Sequence, residues 1–370
     1  MLVLHGTIHV VLGLLLGAAA APGATTKNIG PDLERGEKLF QAGDLTGALQ
    51  VFDSASKADP KDARPLYLRG LVLEKKNDSP GAEKSYREAI ARDGKFAPAH
   101  NNLGAILLGK NDFAGAEKEL MAATTADPKS SRAVFNLGLL REAQKQPREA
   151  VVAYRKAVQL KPADGTYHAN LCSVLRKTGD LDGAILECRQ ATRLLPESAV
   201  VKTNLGLLLS DQGLFDEARG ELQKATELDG KFAPAWTGLG RVELRRKQAL
   251  AAIEALSKAA KLEPRDSGVA ADFCRALVEK DLRAKQAEEE CRKATVLDGQ
   301  NGLAHYELLK ILVARGDCTG AKSEQTKLAS LATVKATAKS QAEEIVKTCV
   351  AGKAVKPRAP HPPGAQPGKR

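Results

Sequence analysis

Cysteine and histidine are the residues of this chain with the most chemistry to offer, and there are six of each. The cysteines are Cys172, Cys188, Cys274, Cys291, Cys318 and Cys349. Cysteine sulfur can ligate zinc, attack an electrophile as thiolate, or pair as a disulfide. A structural zinc site needs close cysteine pairs, and no two of these cysteines have that spacing, so no metal is expected. Histidine can act as a base beside a nucleophile. His100, His168 and His305, however, fall in separate segments and share one position with Trp236, which reads as a packing position. There is no Gly-rich phosphate loop, no GxSxG elbow and no HExxH. The expectation is a non-enzyme without a cofactor, in which the cysteines are structural.

A repeat positions these residues. Gly36, Gly70, Gly104, Gly138, Cys172, Gly206, Gly240 and Cys274 recur at one constant spacing. Ala48, Ala82, Ala116, Ala150, Ala184, Ala218 and Ala252 form a second column, which continues at Ala287 and Ala321 after one inserted residue. Ala55, Ala89, Ala123, Ala157, Ala191, Ala225, Ala259 and Ala294 form a third. Pro60, Gly94, Pro128, Pro162, Pro196, Gly230, Pro264 and Gly299 punctuate the units. Within one unit, Leu103, Ile106 and Leu107 carry a helical apolar stripe, and Ala116, Leu120 and Ala123 carry another beyond a polar turn. Two such helices pack antiparallel, and one pair buries its apolar faces only against the next. With aromatics at 4%, the composition also suits helices packed through small residues.

This pattern resembles the tetratricopeptide repeat, TPR. The resemblance implies an all-α, right-handed superhelical solenoid of helix–turn–helix repeats with a C-terminal capping helix. Nine repeats are expected over 29–334, at about 29–62, 63–96, 97–130, 131–164, 165–198, 199–232, 233–266, 267–301 and 302–334. A capping helix would follow at 335–351, and then a basic, Pro-rich, disordered tail at 352–370. Residues 1–24 read as a secretory signal, apolar around Val10–Gly17 with small residues after it. An uncleaved anchor is the alternative. Export to a periplasm or beyond the cell is the expectation.

Cys172 and Cys274 occupy the glycine column, and Cys188 and Cys291 the large-residue column that elsewhere holds Phe52, Tyr86, Leu120, Tyr154 and Leu222. In an antiparallel pair these columns face each other. Cys318 begins the second helix of the last repeat, and Cys349 ends the capping helix. The expected bonds are Cys172–Cys188, Cys274–Cys291 and Cys318–Cys349. Reduced cysteines acting as small apolar fillers are the alternative.

In peptide-binding TPR proteins the inner, first-helix face supplies polar side chains to the ligand backbone. The resemblance implies that role for Asn102, Asn136, Asn170 and Asn204, which stand one per repeat; their being consensus residues with no ligand is the alternative. Along the same face run Leu71, Leu139 and Leu207, then Arg241, Arg245, Arg275 and Lys310. The matching partner is a protein or peptide, apolar at one end and acidic at the other; a merely solvated basic face is the alternative. The net charge is +11, of which Lys353, Lys356, Arg358, Lys369 and Arg370 of the tail supply almost half, so nucleic acid is not an expected partner. Any membrane contact would be peripheral, and the oligomeric state is open. The expected function is a protein–protein interaction scaffold that binds an extended peptide or partner protein in its concave groove, in the assembly of an envelope or secreted complex. A self-associating structural oligomer and a binder of anionic polymers are the alternatives.

Overall fold

Many helices of the repeat start on a side-chain cap. Asp44, Asp78, Asp112, Asp180 and Asp317 precede second helices, and each carboxylate accepts from the backbone N–H of the glycine three residues on. Such a cap stabilises a helix by about 1 kcal/mol. Ser130, Asp164, Ser198, Asp266 and Asn301 cap first helices in the same way. Other first helices carry proline in their first turn, where its missing N–H costs nothing. The turn inside a hairpin passes through a left-handed residue: Gly43, Asn77, Asn111, Lys145, Gly179, Gly213, Lys247 or Gly316. The eighth hairpin differs. The inserted residue lies in its turn, 281–284, which has no positive φ.

A computed structural model describes residues 28–351. The signal segment and the tail expected at 1–24 and 352–370 lie outside the described residues. The chain divides into two units at Pro196/Glu197. In the first, five antiparallel hairpins follow one another: α1 (Gly30–Gln41) with α2 (Leu45–Ala58), α3 (Arg64–Lys75) with α4 (Ser79–Arg92), α5 (Ala97–Gly109) with α6 (Phe113–Ala126), α7 (Ser131–Ala143) with α8 (Pro147–Leu160), and α9 (Gly165–Thr178) with α10 (Leu181–Leu194). The second holds α11 (Ala199–Asp211) with α12 (Phe215–Leu228), α13 (Ala233–Arg245) with α14 (Ala249–Leu262), α15 (Ser267–Lys280) with α16 (Lys285–Leu297), and α17 (Gly302–Ala314) with α18 (Cys318–Ser330). A last helix, α19 (Ala336–Val350), packs on α17 and α18 through Ala342 and Val346, with a largely polar outer face that ends on exposed Val350. The fold is an all-α solenoid, and no strand occurs among the described residues.

The hairpins close through the columns. A side chain at Gly36, Gly70, Gly104, Gly138, Gly206 or Gly240 would run into Phe52, Tyr86, Leu120, Tyr154, Leu222 or Leu256 of the facing helix. Both alanine columns are fully buried, with no exposed area at any member. Where the glycine column holds cysteine, the partner column does too. Cys172 and Cys188 have Cα atoms 5.2 Å apart, Cys274 and Cys291 5.1 Å, and Cys318 and Cys349 5.7 Å. All three pairs lie inside the range of about 4.4–6.8 Å that a disulfide spans. Their surroundings differ: the first four cysteines are at most 2% exposed, while Cys318 and Cys349 are half-buried. Thiol titration of the unreduced protein is expected to find no free cysteine. Under graded reductant without denaturant, Cys318 and Cys349 should become alkylated before the other four.

Candidate functional site

First helices of neighbouring hairpins touch, α1 with α3 and α5 with α7, so they line one face of the first unit. The side chains of that face form a polar network. Asn102 on α5 donates from Nδ2 to the Tyr86 hydroxyl at 3.1 Å, and its Oδ1 accepts from Asn101 Nδ2 at 2.9 Å. Asn101 Oδ1 in turn accepts from Asn136 Nδ2 of α7 at 2.9 Å. Asn170 donates to the Thr166 carbonyl one turn back and is 1% exposed, with its Oδ1 unpartnered. Asn102 is buried and Asn136 half-buried; in the second unit Asn204 is buried. The asparagines expected to meet a ligand thus largely sit below the surface. Asn101, the member of this network that sequence reasoning passed over, links α5 to α7.

Arg132 stands in the first turn of α7. It is exposed and enters no ion pair among the described residues. Its charge acts on Tyr67 of α3, Tyr167 of α9 and Glu74 of α3. The Tyr167 hydroxyl lies 3.4 Å from that of Ser131. Phe135 stacks on Tyr167 with centroids 4.5 Å apart, and Tyr67 meets Phe96 edge-on at 5.5 Å. Burial pushes the Tyr67 hydroxyl up to about 12 and the Glu74 carboxyl up to about 7, although Tyr86 of α4 and Arg132 of α7 pull Glu74 down. No other charged or titratable group shifts Glu74.

In the second unit the expected basic residues are mostly answered by acids. Arg241 Nε donates to Asp272 at 2.6 Å, Lys310 Nζ to Glu307 at 2.6 Å, and Arg275 lies 3.4 Å from Glu279. Burial raises the Asp272 carboxyl despite Arg241 and Arg275. Arg245 is exposed and enters no ion pair among the described residues. Leu139 of the first unit and Leu207 of the second are half-buried, and Leu71 is buried.

The histidine column is buried, and it is more than filler. His100, His168 and His305 each place Nδ1 2.5–2.6 Å from a second-helix glutamate: Glu119, Glu187 and Glu324. Each Nε2 meets the carbonyl of a punctuation residue: Gly94, Pro162 or Gly299. A carbonyl only accepts, so Nε2 carries hydrogen, and each His–Glu contact holds one further proton. Trp236 donates to the corresponding carbonyl, that of Gly230, at 2.9 Å. Burial pushes the Glu324 carboxyl up, but hydrogen bonds from Lys327 and His305 outweigh it and hold it below the ordinary value. These rings tie each hairpin to the loop before it.

The tetratricopeptide repeat family model matches residues 33–100, 67–131, 101–165, 135–199 and 203–267, well over half of the chain. The chain belongs to the tetratricopeptide repeat family. TPR proteins are in general protein–protein interaction scaffolds. No curated protein matches this one. Among solved structures it is similar to the Cut9–Hcn1 hetero-tetramer of APC/C, at 18% identity and TM-score 0.55 over 76% of this chain and 55% of that one. The TPR chain thus spans about half of the length of the one it matches there. It is also similar to a TPR protein from Parabacteroides merdae, at 19% identity and TM-score 0.53 over 69% of this chain and 98% of that one. A third is pilF of Pseudomonas aeruginosa, at 23% and 0.51 over 59% and 98%. All three share the fold. No helix among the described residues of this TPR array is long and apolar enough to cross a membrane.

Glu74 makes the face pH-sensitive. Its pKa is raised by folding, from an ordinary 4.5 to about 7. The stability tied to its protonated form is therefore full below about pH 4.5 and is lost as pH rises through about 7. Glu74→Gln removes that loss. The variant should match the native protein in acid and exceed it above neutral pH by on the order of 3 kcal/mol, read as the difference between urea unfolding curves across the pH range.

Proposed function

We propose that this TPR protein is a non-enzymatic scaffold whose first-helix face binds an extended segment of a partner protein. The observation that carries the reading is Arg132: an exposed guanidinium without an ion-pair partner among the described residues, on a face that also holds Tyr67, Phe135 and Tyr167. A guanidinium with a free fork binds a carboxylate bidentately, and aromatic side chains on the same face lower the dielectric there. An acidic side chain of the partner is the matching group. In the first unit, half-buried Leu139 and Asn136 offer an apolar contact and an amide edge; in the second, Leu207 and Arg245 offer an apolar contact and a second open cation. The partner segment on this reading mixes apolar and acidic residues.

The three cysteine pairs support disulfide formation and hence export to an oxidising compartment, periplasmic or extracellular. A role in assembling an envelope or secreted complex follows from that placement. A structural oligomer is the second reading, and one observation favours it: Val152 and Leu186 share a column on α8 and α10 and are 70% and 69% exposed. Binding of an anionic polymer is less supported, since Arg241, Arg275 and Lys310 already face acids.

Peptide selection from a displayed random library against the full chain tests the main reading. Enriched sequences should carry an acidic residue among apolar ones. Arg132→Ala should lower their affinity about tenfold, the equivalent of roughly 1.4 kcal/mol. Selected peptides that bind the variant as tightly as the native protein would remove the reading. Concentration-dependent light scattering of the free protein decides the oligomer.

A further inference from the structure

The first unit contains one constellation twice, and the two copies differ at the group that answers the carboxylate. In the later copy, Tyr154 of α8 lies over Gly138 of α7 and donates from its hydroxyl to Glu142 Oε2 at 2.7 Å. Lys177, one hairpin further on at the end of α9, donates from Nζ to Glu142 Oε1 at 2.6 Å. Both carboxylate oxygens are therefore occupied. Phe135 packs beside Tyr154 with ring centroids 5.3 Å apart.

Two repeats earlier the same columns again hold glycine, tyrosine and glutamate, with a tyrosine in the place of Phe135. Tyr86 of α4 lies over Gly70 of α3 and hydrogen-bonds Glu74. Tyr67 packs beside Tyr86 at 5.8 Å, as Phe135 packs beside Tyr154. The column of Lys177, one hairpin on, is here Gly109, at the end of α5. Gly109 is exposed, and nothing lies within 4 Å of the point where its side chain would begin. Glu74 Oε2 correspondingly has no hydrogen-bond partner. A buried acceptor left unpaired carries its full desolvation cost. Burial accordingly holds the Glu74 carboxyl partly protonated near neutrality.

We propose that Glu74 is a receptor for a primary ammonium group, the lysine side chain of a bound partner segment, which enters over Gly109 and takes the place that Lys177 fills in the later copy. A point-like ammonium fits this site better than a guanidinium. Arginine pairs best with both oxygens of a carboxylate, and Tyr86 already engages this carboxylate. Arg132 opposes the incoming charge and so sets the order of the ligand's groups: a lysine at Glu74 with an acidic residue beside it at Arg132. The lysine's origin in a peptide rests on the partner-binding reading above; the ammonium site itself stands on the comparison of the two copies.

The test uses the full chain and a simple probe, butylammonium chloride, titrated to tens of millimolar against sodium chloride of equal ionic strength. Thermal melting is followed at about pH 8, where Glu74 is ionised and the amine remains charged. The native protein should show a saturable rise in melting temperature. Glu74→Gln should show none. Gly109→Lys, which supplies the ammonium from within, should melt higher without amine and respond to it no further. An equal rise in Glu74→Gln, a full response in Gly109→Lys, or no rise in the native protein would each overturn the site. Failure of the peptide selection with the amine response intact would remove only the partner-binding reading, and the reverse result would remove only this site.

Discussion

The structure depends on one contact, the approach of a first helix to its partner at the glycine column. Two helices carrying ordinary side chains at both positions would stand apart. Here one partner gives up its side chain and the other fills the space with a ring or a leucine, as Tyr86 does over Gly70 and Leu120 over Gly104. The fully buried alanines on either side follow from that closeness, because a larger residue there would push the helices apart. Cysteine at both positions is a second solution to the same problem: two medium side chains joined across the gap. The ninth hairpin uses a third. Its first helix carries the large residue, buried Leu309, and its second helix offers half-buried Gln325.

A hairpin closed this way leaves its polar groups in two places. One set, His–Glu with a loop carbonyl, lies between the helices and joins each affected hairpin to the preceding loop. The other, Tyr–Glu with asparagine, lies toward the first-helix face. On the proposed reading the second set bears on function, since it brings charges near a surface where they are incompletely answered. Glu142 is answered by Lys177; Glu74 and Arg132 are not answered in kind. The face is therefore chemically uneven from one repeat to the next, which a solenoid needs in order to read one partner sequence rather than any.

Much of the fold was legible because its columns are fixed by volume. A strict spacing of glycine, alanine and helix stops leaves one way to place nineteen helices among the described residues, and cysteines that replace facing columns must meet. The inserted residue had to fall in a turn, and it does, at 281–284. The site was less legible. Asn102 and Asn136 read as ligand amides by position, but whether an amide is free depends on neighbours such as Asn101 and Tyr86 that share no simple spacing with it. Arg241 and Lys310 read as open cations because a tally of basic residues overlooks the acids that answer them, Asp272 in the following repeat and Glu307 three residues back. The histidines read as packing because one helix alone does not show the glutamate on the facing one.

The most direct test of the central contact replaces one solution by another. Cys172→Gly together with Cys188→Leu converts the cysteine pair into the glycine–leucine pair found at Gly104 and Leu120. The far-UV circular dichroism should be unchanged, and cooperative urea unfolding should lose only the cross-link, roughly 3 kcal/mol for a loop of this size. A protein that loses helix, or unfolds without cooperativity, would show that the two pairs are not alternatives at one contact, and the account of the fold would fail with them.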